Sequence, residues 1–78
     1  MVNMQKYNTA FIETFQVKEE DLENIIYQSI KAWDSVGHMA LIATLEDTFD
    51  IMMDTDDIID FNSYVKGKEI IAKYGVDL

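Results

Sequence analysis

Apolar residues return near the start of the chain at helical spacing: Met4, Tyr7, Phe11 and Phe15 fall three or four positions apart, with Ile12 flanking them, while Asn3, Gln5, Lys6, Asn8 and Glu13 fill the gaps. At about 100° per residue these positions make one stripe, which predicts a first helix from about Asn3 to Phe15. From Gln16 to Trp33 no period is sustained. Glu19 to Ile26 has room for a turn or two of helix, and Leu22, Ile26, Ile30 and Trp33 offer apolar anchors, so this segment reads as a long loop pinned to a core.

A second helical pattern runs from about Ser35 to Phe49. It places His38, Leu41, Ile42, Leu45 and Phe49 in one sector, with Val36, Met39, Ala40, Ala43 and Asp47 roughly opposite. One face belongs to a core, and the other is exposed yet partly apolar. Ile51-Met52-Met53 then makes a short apolar connection, and Asp54 or Thr55 can cap a brief helix holding Asp57, Ile58 and Ile59. Asn62 or Ser63 caps a last helix whose stripe is Tyr64, Gly67, Ile71 and Tyr74, with Gly75 just past its end. The expected fold is all-α, a small four-helix bundle with a long loop between helices one and two, in one domain over residues 1–78.

Composition narrows what such a fold can do. A chain of 78 residues has room for one small core, and 49% hydrophobic with 12% aromatic residues is enough to fill it despite the charge. No cysteine is present, so neither a disulfide framework nor a thiolate metal site is expected. Fifteen acidic against six basic side chains leave a net charge of -9, which disfavours nucleic acid and anionic membrane surfaces and favours basic protein surfaces. The field comes from the middle of the chain. Between Ala32 and Val65 there is no Lys or Arg, while Asp34, Glu46, Asp47, Asp50, Asp54, Asp56, Asp57 and Asp60 all fall there. Met1 to Phe15 is too interrupted by polar residues for a signal peptide, and no run approaches the roughly 18 apolar residues of a membrane span, so a cytoplasmic protein is expected.

Candidate chemistry gathers where helix two begins. Ser35 can itself cap that helix; alternatively Asp34 is the cap, and Ser35 stands in the first turn with its hydroxyl free. In the second case a phosphate ester on Ser35 would meet unpaired N–H groups and the positive end of the helix dipole. Ser35 and His38 are within reach of each other at i,i+3, but the chain has no G-x-S-x-G elbow and no evident oxyanion hole, so no catalytic residue is expected. His38 reads as a partly buried residue at the mouth of the core, with contact to a group on Ser35 as the sharper alternative. Asp54, Asp56, Asp57 and Asp60 do not form an EF-hand, because Ile59 stands where glycine must make the turn, so no dedicated metal site is expected.

The stretch DSVGHMALIATLEDTFDI, Asp34 to Ile51, resembles the Asp-Ser-Leu signature and second helix of acyl carrier proteins, and length, acidity and helix order are similar to that family over essentially the whole chain. The resemblance implies that Ser35, preceded by Asp34, carries a 4'-phosphopantetheine arm transferred from coenzyme A by a phosphopantetheinyl transferase. The arm's thiol then holds an acyl or aminoacyl group as a thioester, which agrees with a chain that has no cysteine of its own. It further implies a carrier rather than an enzyme, a monomer, and a docking strip of Val36, Met39, Ala40, Ala43 and Asp47 for acyl or aminoacyl ligases, acyltransferases or synthases with basic surfaces. Three positions depart from the family pattern. Val36 replaces the usual leucine, and Gly37 and Ala40 stand where many fatty-acid carriers have acids, which points to a specialised lipid, polyketide or secondary-metabolite pathway rather than housekeeping fatty acid biosynthesis. Gly37 also costs helix two roughly 0.5–1 kcal/mol relative to alanine, so its presence suggests that something approaches it closely. The competing expectation is a non-catalytic acidic helical domain that binds a basic partner without any cofactor.

Overall fold

The computed structural model describes residues 2–78. In chain order these form α1 (Val2–Phe15), a 3₁₀-helix (Glu19–Asn24), α2 (Ser35–Phe49), α3 (Thr55–Asp60) and α4 (Tyr64–Ala72). Among the described residues there is no strand, only an isolated antiparallel bridge between Ile26 and Ser63, so the protein is small and all-α. α1 packs along α2 and the 3₁₀-helix, and the 3₁₀-helix also touches α4. The radius of gyration, 11.2 Å, is close to the roughly 11.5 Å expected for a folded chain of this length.

The core is built from rings. Tyr7, Phe11 and Phe15, the stripe of α1, are buried along with Ala10, and Met4 and Ile12 pack at the edge. Phe11 is the hub: its ring lies 5.1 Å from Tyr7, 5.4 Å from Tyr64, 5.6 Å from Trp33, 5.9 Å from Phe15 and 6.1 Å from Phe61. All but the Phe61 contact are inclined or edge-on, where the positive edge of one ring meets the negative face of another. α2 contributes Leu41, Ile42 and Leu45, and α4 contributes Tyr64, Ile70 and Ile71. Gly67 lets α4 close on this cluster, because a Cβ there would overlap Phe61 and the Tyr7 hydroxyl. Ser63 caps α4, its Oγ accepting the Lys66 N–H at 2.9 Å, and the chain turns after Ala72 through Gly75 at φ 85°.

The connection between α1 and α2 is more ordered than its irregular pattern suggests. Its 3₁₀-helix buries Leu22, and Trp33 is fully buried at its far end. The expectation that Ile26 anchors it is corrected: Ile26 is 54% exposed, and Ile25, 4% exposed, takes the inward place. The cause is extended geometry. Ile25 C=O accepts the Tyr64 N–H at 3.1 Å and Tyr27 N–H donates to Asn62 C=O at 2.8 Å, so successive side chains alternate in and out, with Ile26 facing away. This pairing holds Tyr27 against the junction of α3 and α4.

Candidate functional site at the start of α2

Asp34 is the cap. Its backbone is extended, its Oδ1 accepts the Gly37 N–H at 2.8 Å, and its carbonyl accepts the His38 N–H at 2.7 Å. Ser35 is therefore released from capping and stands exposed in the first turn, leaving the N–H groups of Ser35 and Val36 as the open donors of that turn. The partner of Ser35 Oγ is the phenol of Tyr27, at 3.3 Å, where either oxygen can donate.

His38 is partly buried behind Ser35 and spoken for at both ring nitrogens. Nδ1 accepts the Trp33 indole N–H at 3.0 Å, and Nε2 lies 2.7 Å from Ile58 C=O. An indole nitrogen only donates and a carbonyl only accepts, so the neutral ring carries its proton on Nε2 and donates it to Ile58. Neither nitrogen is left to take a proton from Ser35. The imidazole stacks on Trp33 at 6.2 Å and meets the Tyr27 ring at 5.5 Å. In front of these rings lies a cleft of about 230 Å³ lined by Tyr27, His38, Ile59, Phe61 and Asn62.

The close approach expected at Gly37 comes from within the chain. A Cβ at this position would penetrate the carbonyl oxygen of Ala32 and crowd the Phe15 ring. The glycine thus lets the turn before α2 pass against its first turn, and packing alone requires the absence of a side chain here.

Farther along α2, Val36 is 78% and Met39 54% exposed, and Ala40, Ala43 and Asp47 are exposed beside them. The apolar strip and its acid therefore share the solvent face. The acids of the middle segment are not equivalent. Glu46 is half-buried and its Oε2 accepts the Met53 N–H at 2.9 Å, tying the α2–α3 connection to α2. Asp57 is buried, accepting from Lys73 Nζ at 2.6 Å and from the Tyr74 hydroxyl. Those two hydrogen bonds hold its carboxyl below the usual carboxylate range, and the same contact with Asp57 raises Lys73 above the usual lysine range. Asp47, Asp50, Asp54, Asp56 and Asp60 remain on the surface.

Sequence reasoning found Asp34, Ser35 and His38 but missed Tyr27, Trp33 as the indole donor, and the Asp57–Lys73 pair. Each comes from an irregular segment or a distant element, and the one available signal was the aromatic content of the Tyr27–Trp33 loop. No family model, no curated protein and no solved structure matches the chain. Among the described residues no helix is long and apolar enough to cross a membrane.

Proposed function

We propose that the protein is a carrier of the acyl-carrier type: a four-helix bundle that holds an acyl or aminoacyl group as a thioester on a 4'-phosphopantetheine arm esterified to Ser35 and presents it to partner enzymes. The observation that carries this reading is the exposed Ser35 hydroxyl in the first turn of α2, freed from capping by Asp34. The surrounding residues fit such a group. Its attachment is an anionic phosphodiester, and the open N–H groups of Ser35 and Val36, the positive end of a 15-residue helix and the Tyr27 phenol all favour a negative charge there.

When bound, the arm supplies a thiol on a long flexible tether, the group that this cysteine-free chain lacks. The protein's own contribution is to hold the attachment point and to be recognised. With both His38 nitrogens engaged, Ser35 has no general base, which supports an attachment point over a catalytic nucleophile. Val36, Met39, Ala40 and Ala43 supply apolar area next to that point, and Asp47 with the surface acids beyond α2 supplies charge for a basic partner. The reading of a specialised pathway now rests on Ala40, which is exposed and uncharged, since Gly37 is accounted for by Ala32.

The test is intact mass after incubation with coenzyme A and a phosphopantetheinyl transferase. Wild type should gain one arm, and Ser35→Ala none. Ser29 and Ser63 serve as controls because their hydroxyls are already engaged, Ser29 with Ile26 C=O at 2.7 Å and Ser63 with the Lys66 N–H. An unchanged wild-type mass would favour the acidic helical interaction domain without cofactor.

A further inference from the structure

Tyr27 lies outside every helix, yet its phenol is held from several sides. Its N–H donates to Asn62 C=O at 2.8 Å, and the next residue, Gln28, donates to Trp33 C=O at 3.0 Å. Its ring stands edge-on to Trp33 at 6.2 Å and to His38 at 5.5 Å. None of these contacts involves Ser35, so Tyr27 is placed independently of the serine whose Oγ lies 3.3 Å from its own oxygen.

In the unmodified protein either hydroxyl can donate in that pair. Esterification removes the serine proton, so the contact then persists only with the phenol as donor. It also replaces a neutral acceptor with anionic phosphodiester oxygens, and hydrogen bonds to ionised acceptors are roughly twice as strong as neutral ones. The geometry points to Tyr27 as the positioning residue of the modified serine, its phenol donating to the phosphodiester and fixing the root of the arm beside the cleft that Tyr27 shares with Asn62; this rests on the carrier reading of Ser35. Of the four tyrosines in the chain, the hydroxyls of Tyr7, Tyr64 and Tyr74 are committed elsewhere, to Tyr64 C=O, Asn8 and Asp57.

Tyr27→Phe removes the hydroxyl and keeps the ring. Wild type and Tyr27→Phe are each loaded from coenzyme A by a transferase, and loading is checked by mass. The phosphodiester ³¹P resonance should differ between the two loaded proteins. Loading should also shift the melting temperature of wild type upward relative to its effect on Tyr27→Phe, by about 2–8 °C for one hydrogen bond in a domain of this size. In wild type alone, the Tyr27 ¹³Cζ resonance should move on loading by several times more than those of the other tyrosines, a readout that does not depend on the variant folding. Failure of Ser35 to load overturns the carrier reading and this inference together. Loading with equal ³¹P shifts, equal melting changes and an unmoved Tyr27 ¹³Cζ overturns this inference alone.

Discussion

The indole N–H of Trp33 donates to Nδ1 of His38 across 3.0 Å, and the opposite nitrogen of the same ring reaches Ile58 C=O at 2.7 Å. One imidazole thereby joins the end of the irregular connection, the first turn of α2 and α3. Since α3 has only six residues, too few to hold itself by helix formation alone, such a tie to α2 matters to its position.

His38 is accordingly expected to show the Nε2–H tautomer in long-range ¹H–¹⁵N spectra of its neutral form. His38→Leu leaves the Trp33 N–H and the Ile58 carbonyl without partners and should cost about 1–3 kcal/mol in urea unfolding. His38→Gln, able to serve one of the two groups, should recover part of that loss.

Gly37→Ala raises helix propensity by up to ~1 kcal/mol, yet it drives a methyl group into the Ala32 carbonyl. The clash should win, with a net loss of about 1–3 kcal/mol in denaturant unfolding. Ala40→Glu, exposed on the same helix, should change stability by no more than about 0.5 kcal/mol. Ala40→Glu is thus the clean probe of pathway choice. If the protein is a specialised carrier, the loaded variant should be elongated faster than loaded wild type by fatty-acid synthase enzymes.

The Asp57–Lys73 pair predicts two arms of pH dependence. Asp57 binds its proton less readily folded than unfolded, so its stabilising effect is complete above the ordinary carboxylate value near ~3.9 and is lost as pH falls through the lowered folded value. Lys73 is raised, so its effect is complete below the ordinary lysine value near ~10.4 and is lost as pH rises through the raised folded value. In melting temperature measured against pH, Asp57→Asn should flatten the acid arm and the share of the alkaline arm that Lys73 and Tyr74 supply, while the Tyr7 and Tyr64 phenols, raised by burial, still contribute at high pH. Tyr74→Phe should flatten part of each arm, since its hydrogen bond to Asp57 lowers the carboxyl and raises the phenol.

Surface acids should set the rate at which basic partners find the protein. The on-rate of a phosphopantetheinyl transferase should fall as salt shortens the Debye length to roughly 8 Å at physiological ionic strength. Asp47→Asn should reduce both the rate and its salt dependence. Because the exposed strip of Val36 and Met39 is uncharged, Met39→Ser should slow binding with little change in salt dependence.

What could be read from sequence alone was local. The stripes Met4-Tyr7-Phe11-Phe15 and Leu41-Ile42-Leu45 and the solvent face of α2 follow from rotation per residue. Spacing leaves the cap of α2 open between Ser35 and Asp34, and the structure gives it to Asp34, whose carboxylate accepts the Gly37 N–H. Only the tertiary structure decided that Ile25 rather than Ile26 points inward, because the pairing that alternates them comes from the distant Asn62–Tyr64 segment. It likewise decided that Gly37 answers to Ala32, that Tyr27 meets Ser35, that His38 bridges Trp33 and Ile58, and that Asp57 is buried against Lys73. Each of these is a contact between an irregular segment or separate element and a helix. No periodicity encodes such a contact, since it exists only once the aromatic core has set where the chain's turns pass one another.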